Sequence, residues 1–373
     1  MTLETKYLLA LQLIPGLGNQ RIRSFIKQTG TAEKLFQKSV SELKQLSGLG
    51  QTIAEAIANF SSWDLVDRIL DKSESSDAQI IGFTDDVYPS QLSQIYDPPL
   101  TLWVRGSVSV LSTVGLAIVG SRNPSEYAKR VTVEFTKQAV AHGLTVNSGL
   151  AYGVDTIAHR VCTDLQSQTV AVLGSGIDVI YPSSNAGLVQ KIVDCGGAVI
   201  SEYLPGTKPD AGNFPVRNRI VSGLSKGVLV VETSEKGGSR ITANLALDQN
   251  RDVFIIPHPI TNPNGTGCNE LIKKGCGKLV QDFSDISEDL QLERKANQLS
   301  PEKSHSIAVL NWRELPISDE LKKICSVLEN NISQIDDIAE QTGMSTQELL
   351  VRLLELEFQN IVVQRSGKNF FLA

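Results

Sequence analysis

The stretch AIVGSRNPSEY, from Ala117 to Tyr127, predicts a strand that turns through a glycine into a helix. Residues 114–119 are apolar and end at Gly120, which is typical of a short buried strand. Ser125 is a residue type that caps helix N-termini. Such a terminus presents unpaired N–H groups and the positive end of a dipole, so it attracts phosphate. The candidate phosphate ligands of this turn are Gly120, Ser121 and Arg122.

Three further glycine-rich loops follow predicted strands in the same part of the chain. They are NSGLAYGVDTIAH (147–159), VLGSGIDVIYP (172–182) and ETSEKGGSRITA (232–243). Glycines beside small hydroxyl residues let backbone amides approach an anion closely. None of the loops matches the motif for dinucleotides or for nucleoside triphosphates. The candidate anion ligands in these loops are Ser148, Gly149, Gly174 and Ser175.

The stretch FPVRNRIVSGLS (214–225) combines an aromatic residue with two arginines. Cations that follow phosphates and a ring that stacks on a base are the chemistry of a single-strand groove. The alternative is that Phe214 belongs to the core and that the arginines pair with Glu202 or Glu232. The candidate DNA ligands of this stretch are Phe214, Arg217, Asn218 and Arg219.

Strand-like and helix-like segments alternate through the middle of the chain. This alternation predicts an α/β domain with a Rossmann-like, mostly parallel sheet and helices on both faces, over residues 79–285. In such sheets, ligands bind at the carboxyl ends of the strands. The predicted strands are 79–83, 100–105, 116–119, 144–147, 170–173, 198–201, 228–232 and 253–256, and the predicted helices are 125–142, 154–165, 185–195 and 239–249.

Composition indicates a globular protein with more than one domain. A chain of 373 residues exceeds one ordinary core. Its net charge of −6 arises mainly at the C-terminal end, so an anion site in the middle must be a local cluster. The five cysteines lack C-x-x-C spacing, the N-terminus has no secretory features, and no apolar run is long enough to cross a bilayer. We therefore expect a cytoplasmic protein with no membrane span.

Residues 1–75 are predicted to form a helical domain. Two GLG units, at Gly16 and Gly48, each precede an apolar-periodic helix. The pattern resembles a pair of helix-hairpin-helix motifs in a SAM-like domain, whose turn amides can contact phosphate. The alternative is an ordinary helical hairpin turned by glycine.

The C-terminal end is predicted to form a winged helix over residues 310–373, after a linker over 286–309. Helical segments at 319–329 and 345–358 and a hairpin turn at Ser366–Gly367 support this fold. The candidate recognition helix, 345–358, carries three glutamates against Arg352, and this charge repels DNA. We therefore expect this domain to contact protein or a partner subunit.

The combined motifs resemble the DprA (Smf) family of bacterial DNA-processing proteins. The motifs are VGSR, VLGSGIDVIYP, SEYLPGTKP, FPVRNRIVSGLS, GGSRITANLAL and NELIKKGCGKLV. The resemblance implies a homodimeric single-stranded-DNA binder that loads RecA during natural transformation. It assigns Gly120, Ser121 and Arg122 to a phosphate-gripping turn, and Phe214, Arg217 and Arg219 to a DNA pocket. The sequence departs from the family pattern at Cys162, at KGGSRITA and at Pro257–His258.

Two other functions remain open on sequence grounds. One is a nucleotide hydrolase of the lysine-decarboxylase-like phosphoribohydrolase group, although EKGGSRITANLAL lacks that group's glutamate. The other is a duplex-DNA regulator that acts through the winged helix. We expect no catalytic residue and no cofactor. We also expect no metal site, because Cys268, Cys276 and His258 lack a fourth ligand at a recognisable spacing.

Overall fold

The computed structural model describes residues 2–292, 312–314, 317–329, 334–359, 361–365 and 369–372. Two compact units divide the chain, Met1–Asn297 and Gln298–Ala373. Within the described residues, no helix is both long and apolar enough to cross a membrane.

The first unit contains one mixed sheet. Its strands are β1 Gln79–Gly82, β2 Thr101–Gly106, β3 Gly115–Val119, β4 Thr145–Ser148, β5 Thr169–Val172, β6 Ala198–Ser201, β7 Gly227–Val230, β8 Asp252–Ile255 and β9 Lys278–Leu279. They lie in the order β1-β2-β6-β5-β4-β3-β7-β8-β9. The strands from β6 to β9 in this order are parallel, and β2 is antiparallel to both of its neighbours. The predicted Rossmann-like fold is confirmed.

Helices cover both faces of this sheet. They are α1 Leu3–Gln12, α2 Asn19–Thr29, α3 Ala32–Phe36, α4 Val40–Leu43, α5 Gln51–Ala58, α6 Trp63–Ser75, α7 Ser90–Ser93, α8 Glu126–Ala141, α9 Val154–Asp164, α10 Ala186–Asp194, α11 Asn213–Gly223, α12 Ser239–Asp248, α13 Thr266–Lys273 and α14 Ser284–Asp289. Strand β3 shows how the two faces are built. Leu116 and Ile118 pack with α8 and α9, whereas Ala117 and Val119 belong to the core that contains α11 and α12.

The order of the strands creates a crevice beside β3. From β3 the chain proceeds to β4, β5 and β6 on one side, and it then returns to form β7, β8 and β9 on the other. The loops after β3 and β7 therefore leave the sheet in opposite directions. This is the topological switch point at which open α/β sheets bind ligands.

Of the N-terminal helices, α1 and α6 pack on strands at the edge of the sheet. Helix α1 is buried on two sides, because Leu8 and Leu11 face the helical core while Leu9 faces the cluster around Trp103 of β2. The Trp103 indole Nε1 donates a hydrogen bond to Ser73 Oγ at 2.8 Å. Residues 1–75 and 79–285, predicted as two domains, thus share one compact unit. The proposed boundaries themselves remain predictions.

The two GLG turns lie next to each other. The Arg21 guanidinium donates to the carbonyl oxygens of Gly16 at 3.4 Å and Gly48 at 3.2 Å. The Arg21 side chain therefore bridges the two glycine turns.

The second unit has the predicted winged-helix elements. They are α15 Asp319–Glu329, α16 Ile335–Thr342, α17 Thr346–Phe358 and the antiparallel strands β10 Val362–Arg365 and β11 Asn369–Leu372. Gly343, with φ of +70°, ends α16 in the left-handed region that glycine favours. The predicted winged helix is confirmed.

The segment predicted as a linker, residues 286–309, is described only at its start. Helix α14 occupies part of it, and Ile286 and Leu290 are fully buried in the core beneath β8. The remainder of that prediction, residues 293–309, lies outside the described residues.

Candidate nucleic-acid interface

A cleft of about 690 Å³ opens at the carboxyl ends of β3 and β7. We call it the switch-point cleft. The loops after β3, β4 and β7 and the first turns of α11 and α12 form its walls. The predicted DNA ligands that line it are Gly120, Ser121, Arg122, Gly149, Phe214, Arg217 and Asn218. The structure therefore brings together seven of the eleven predicted residues.

The turn after β3 is held in place by a buried carboxylate. Glu232, which follows β7 and is fully buried, accepts hydrogen bonds from Ser125 N at 3.0 Å and from Ser125 Oγ at 2.5 Å. Ser125 Oγ in turn accepts from Ala128 N at 3.2 Å and caps α8. The sequence predicted that this helix N-terminus would attract phosphate. Glu232 already supplies a negative charge there, so Arg122 is the more accessible anion-binding group of the turn.

Arg122 stands over an aromatic surface. Its guanidinium carbon lies 5.4 Å from the centroid of the Phe214 ring. The Tyr181 ring lies 5.6 Å from Phe214, with 40° between the ring planes. The Arg122 side chain is exposed and forms no hydrogen bond or ion pair with any residue that the structure describes. A free cation beside two rings can bind a phosphate while a base stacks on the rings.

Gly174 contributes by leaving room for Phe214. A Cβ atom at position 174 would lie 2.8 Å from Phe214 Cδ1, closer than carbon atoms pack. Gly174 does not line the cleft itself. Its backbone packs against the Phe214 ring. The sequence had instead predicted that Gly174 contacts the ligand.

Arg217 lies in the cleft wall, but its charge is used internally. The residue is 3% exposed, and its guanidinium donates to the carbonyl oxygens of Gly149 and Val172. Burial lowers the pKa of Arg217 to about 10, and Asp155 opposes that change. Residues 213–223 form helix α11, which the sequence analysis did not predict. Arg217 therefore does not bind phosphate as a free cation.

Arg219 lies outside the switch-point cleft. Its Nη1 and Nη2 atoms form a bidentate ion pair with Glu202, each at 2.6 Å, and its Nε donates to the Asp97 carbonyl at 2.8 Å. Because successive residues of α11 are rotated by about 100° around the helix axis, the Arg219 side chain leaves the helix in a different direction from that of Arg217. It therefore meets a different neighbour. The pairing with Glu202, which was the alternative interpretation, is what the structure contains. The prediction of a DNA contact at Arg219 is not supported by this geometry.

Two serines also point inward. Ser148 Oγ donates to Ile118 O at 2.7 Å, and Ser175 Oγ donates to Val179 O at 2.6 Å. Both residues are at most 1% exposed and neither lines the cleft. Their hydroxyls hold loop backbones in place, which corrects the prediction that they face a ligand.

Asp155 organises the loop after β4. Its Oδ2 atom accepts from Gly149 N at 3.1 Å and from Ala151 N at 3.3 Å. Burial raises the pKa of Asp155, while the Arg217 guanidinium and these amides oppose that rise. Asp155 thus fixes the loop by accepting two of its backbone amides.

Sequence reasoning missed Tyr181 as a site residue. Tyr181 is the penultimate residue of the VLGSGIDVIYP motif and is 40% exposed at the cleft. A large aromatic residue at the end of a glycine-rich loop was the available signal. Thr233, Ser234 and Asn264 also line the cleft and were not singled out.

His159, His258 and Arg240 contact neighbouring protein groups. His159 is fully buried, and its Nδ1 lies 2.8 Å from Thr169 Oγ1. His258 Nε2 lies 2.8 Å from the Val231 carbonyl, and the Arg240 guanidinium donates to the Glu235 carbonyl. Among the residues that the structure describes, no group of three metal-ligating side chains is close enough to hold an ion.

Comparison with known proteins agrees with this architecture. The profile of the family described as DNA recombination-mediator protein A matches residues 79–291, and that of the DprA winged helix domain matches residues 313–368. The chain belongs to the DNA recombination-mediator protein A family. The resemblance to DprA and Smf proteins that the motifs predicted is confirmed.

Individual members of the DNA recombination-mediator protein A family resemble most of the chain. Protein Smf of Escherichia coli K12 is 38% identical over 294 residues, covering 79% of this chain and 77% of that protein. The X-ray structure of DprA from Streptococcus pneumoniae matches with a TM-score of 0.65 and 32% identity, over 78% of this chain and 99% of that one. DprA of Helicobacter pylori, solved to study its single-stranded-DNA binding mode, matches with a TM-score of 0.52 and 30% identity, over 58% and 97%.

Proposed function

We propose that this protein binds single-stranded DNA in the switch-point cleft, protects incoming DNA and loads RecA recombinase during DNA-mediated transformation. In this proposal it acts in the cytoplasm as a homodimer and catalyses no reaction. Its ligand is the strand itself, with no cofactor.

The observation that carries the proposal is the position of Arg122 over the Phe214 ring, with Tyr181 beside it. A phosphate bound to the exposed guanidinium brings its neighbouring base close to these rings. Stacking is tolerant of sequence because every base has a flat face, and it requires bases that are not paired in a duplex. The single-strand binding of the Helicobacter pylori relative supports the same preference.

The hydrolase alternative depends on a carboxylate that could act as acid or base. Asp155 is the buried carboxylate with a raised pKa in the cleft wall. Its Oδ2 is occupied by two backbone amides, so it is poorly placed to exchange protons with a substrate. We therefore propose binding of single-stranded DNA rather than hydrolysis of a nucleotide. Incubation with nucleoside monophosphates should release no free base.

The duplex-regulator alternative requires α17 to approach DNA. Glu348 and Glu355 are exposed on this helix, and Arg352 is paired with Glu320 at 2.8 Å and with Glu355 at 3.3 Å. The helix thus offers a net negative surface to a polyanion. We propose that the winged helix contacts protein, either RecA or a second copy of the chain. A DNA crosslink that maps to α17 would contradict this assignment.

The experiment that tests the proposal is a competition assay. Fluorescence anisotropy would follow a labelled oligonucleotide displaced by unlabelled single strand or by duplex of the same sequence. We expect the single strand to compete much better, and we expect the protein to accelerate RecA assembly on a strand coated with single-strand-binding protein. Equal competition by duplex would contradict the proposed function.

A further inference from the structure

A second pocket, of about 480 Å³, lies on the other side of Arg122. We call it the Arg160 pocket. Arg122 lines both this pocket and the switch-point cleft. Its other side chains come from the turn after β3, the start of α8, the loop after β4, α9 and the turn before α10. Those that bear on its chemistry are Lys129, Tyr152, Thr156, Arg160 and Asn185.

The cations of this pocket are accessible. Arg160 is exposed, and its guanidinium forms no hydrogen bond or ion pair with residues in the described ranges. Lys129 pairs with Glu126 at 2.6 Å, but the two side chains are 47% and 83% exposed, so the pair is weak and easily exchanged. No lining residue of the pocket is acidic. The wall therefore carries an exposed cluster of positive charge, in which Arg122 and Arg160 are unpaired among the described residues, in a protein whose net charge is negative.

Tyr152 adds an aromatic surface. Its side chain is 48% exposed at the pocket. Tyr152 lines the same pocket as Arg122 and Arg160, so this pocket, like the first cleft, combines an aromatic ring with arginine in its wall. Each of the two pockets has an aromatic side chain in its wall, and Arg122 lines both pockets. This arrangement suits a ligand in which phosphates and bases alternate.

The floor of the Arg160 pocket is preorganised. Asn185 Nδ2 donates to Thr156 Oγ1 at 2.8 Å and to Leu150 O at 3.0 Å, and Thr156 Oγ1 donates to Ala151 O at 2.6 Å. Gly153, with φ of +77°, lets this loop touch the turn after β3, since a Cβ atom there would lie 2.2 Å from Ser121 O. The two loops are therefore in backbone contact, and Arg122 projects along the boundary between the pockets.

We infer that the Arg160 pocket is a second subsite for the same DNA strand, which passes over Arg122 and there meets Arg160 as a phosphate ligand and Tyr152 as a stacking ring. This inference rests on the proposed single-strand binding in the switch-point cleft. It adds a direction for the strand, from α11 across the turn after β3 to α9.

The test measures binding of oligothymidylates of graded length, from about 4 to about 16 nucleotides. The variants are Arg160→Gln and Tyr152→Ala. The matched control is Arg130→Gln, which removes the same charge from an exposed position of α8 that lines neither pocket. Circular dichroism and thermal unfolding would check that each variant is folded.

We expect the Arg160→Gln and Tyr152→Ala variants to bind the longest oligonucleotides between about 5-fold and 100-fold more weakly. The shortest oligonucleotides, which one subsite can hold, should bind almost as they do to the parent. The Arg160→Gln variant should also lower the slope of log affinity against log salt by about 0.7 for long strands. The Arg130→Gln control should show neither effect.

Three contrary results are distinguishable. If the parent binds strands of every length and both variants behave like the Arg130→Gln control, the second subsite is wrong and the proposed function stands. If the parent binds no single strand, or prefers duplex, the proposed function is wrong and the second subsite falls with it. A uniform loss at all lengths would assign Arg160 and Tyr152 to the first site and would also overturn the inference.

Discussion

Ser125 and Glu232 join the two halves of the sheet across its switch point. The Ser125 hydroxyl donates to Glu232 Oε2 at 2.5 Å, and the Ser125 amide donates to Oε1 at 3.0 Å. One residue begins the helix after β3 and the other follows β7. The turn that carries Arg122 is thus fixed by a fully buried carboxylate from the opposite wall of the switch-point cleft.

Replacing Glu232 by Gln should destabilise the protein. The change removes the charge from two hydrogen bonds in a buried place, so we expect the free energy of unfolding to fall by about 1–3 kcal/mol. Urea unfolding followed by circular dichroism measures this loss. Glu235→Gln, an exposed neighbour in the same loop, is the control and should leave stability unchanged. Equal stability of the two variants would show that the contact does not hold the turn.

Salt dependence should separate the roles of Arg122 and Phe214. Arg122→Ala removes a phosphate ligand, so the slope of log affinity against log salt for single strands should decrease by about 0.7. Phe214→Ala removes a stacking surface, so affinity should fall by about 1–3 kcal/mol with the slope unchanged. Anisotropy titrations between low and moderate salt measure both quantities. An Arg122→Ala protein that binds like the parent would contradict this site.

Arg219 should matter for folding more than for binding. Arg219→Ala leaves Glu202 buried without its bidentate partner, which typically costs about 3–5 kcal/mol of stability. We expect a large decrease in the urea midpoint for Arg219→Ala and near-parental affinity for single strands in the fraction that remains folded. A stable variant that has lost DNA binding would restore Arg219 as a DNA ligand, as the sequence had suggested.

His159 should make stability depend on pH. Burial, with the Arg217 charge nearby, lowers the pKa of His159 to about 3 in the folded protein. In the unfolded chain a histidine has a pKa near 6.5, so below that pH the unfolded state takes up a proton that the folded state does not. Stability is therefore lost as pH falls from about 6.5 towards 3, by about 2 kcal/mol at pH 5.

Urea unfolding between pH 7 and pH 5 tests the role of His159. The His159→Gln variant should show a smaller loss of stability over this range than the parent does. His142→Gln, at a half-buried helix end, is the matched control and should retain the parental pH dependence. Parallel curves for the parent and His159→Gln would contradict the buried, neutral histidine.

Local patterns in the sequence determined the fold class. The eight predicted strands all occur, with ends within two residues of those observed, because apolar runs bounded by glycine and helix caps act over a few residues. The turn at Arg122, the ring of Phe214 and the winged helix were predictable for the same reason. The family resemblance followed from the motifs in these short loops, most of which match the family pattern.

Tertiary structure decided which charges reach a ligand. Arg122, Arg217 and Arg219 are equivalent as residue types, yet one is exposed over Phe214, one donates to buried carbonyls and one pairs with Glu202. For Arg217 and Arg219, the difference depends on the direction in which each position of α11 faces. It also depends on which distant segments of the chain supply the carbonyl or carboxylate that each guanidinium contacts. Burying a guanidinium is costly unless it is hydrogen-bonded or paired in the folded protein, so Arg217 and Arg219 use their charges internally. The exposed Arg122 is therefore the arginine whose charge is available to DNA.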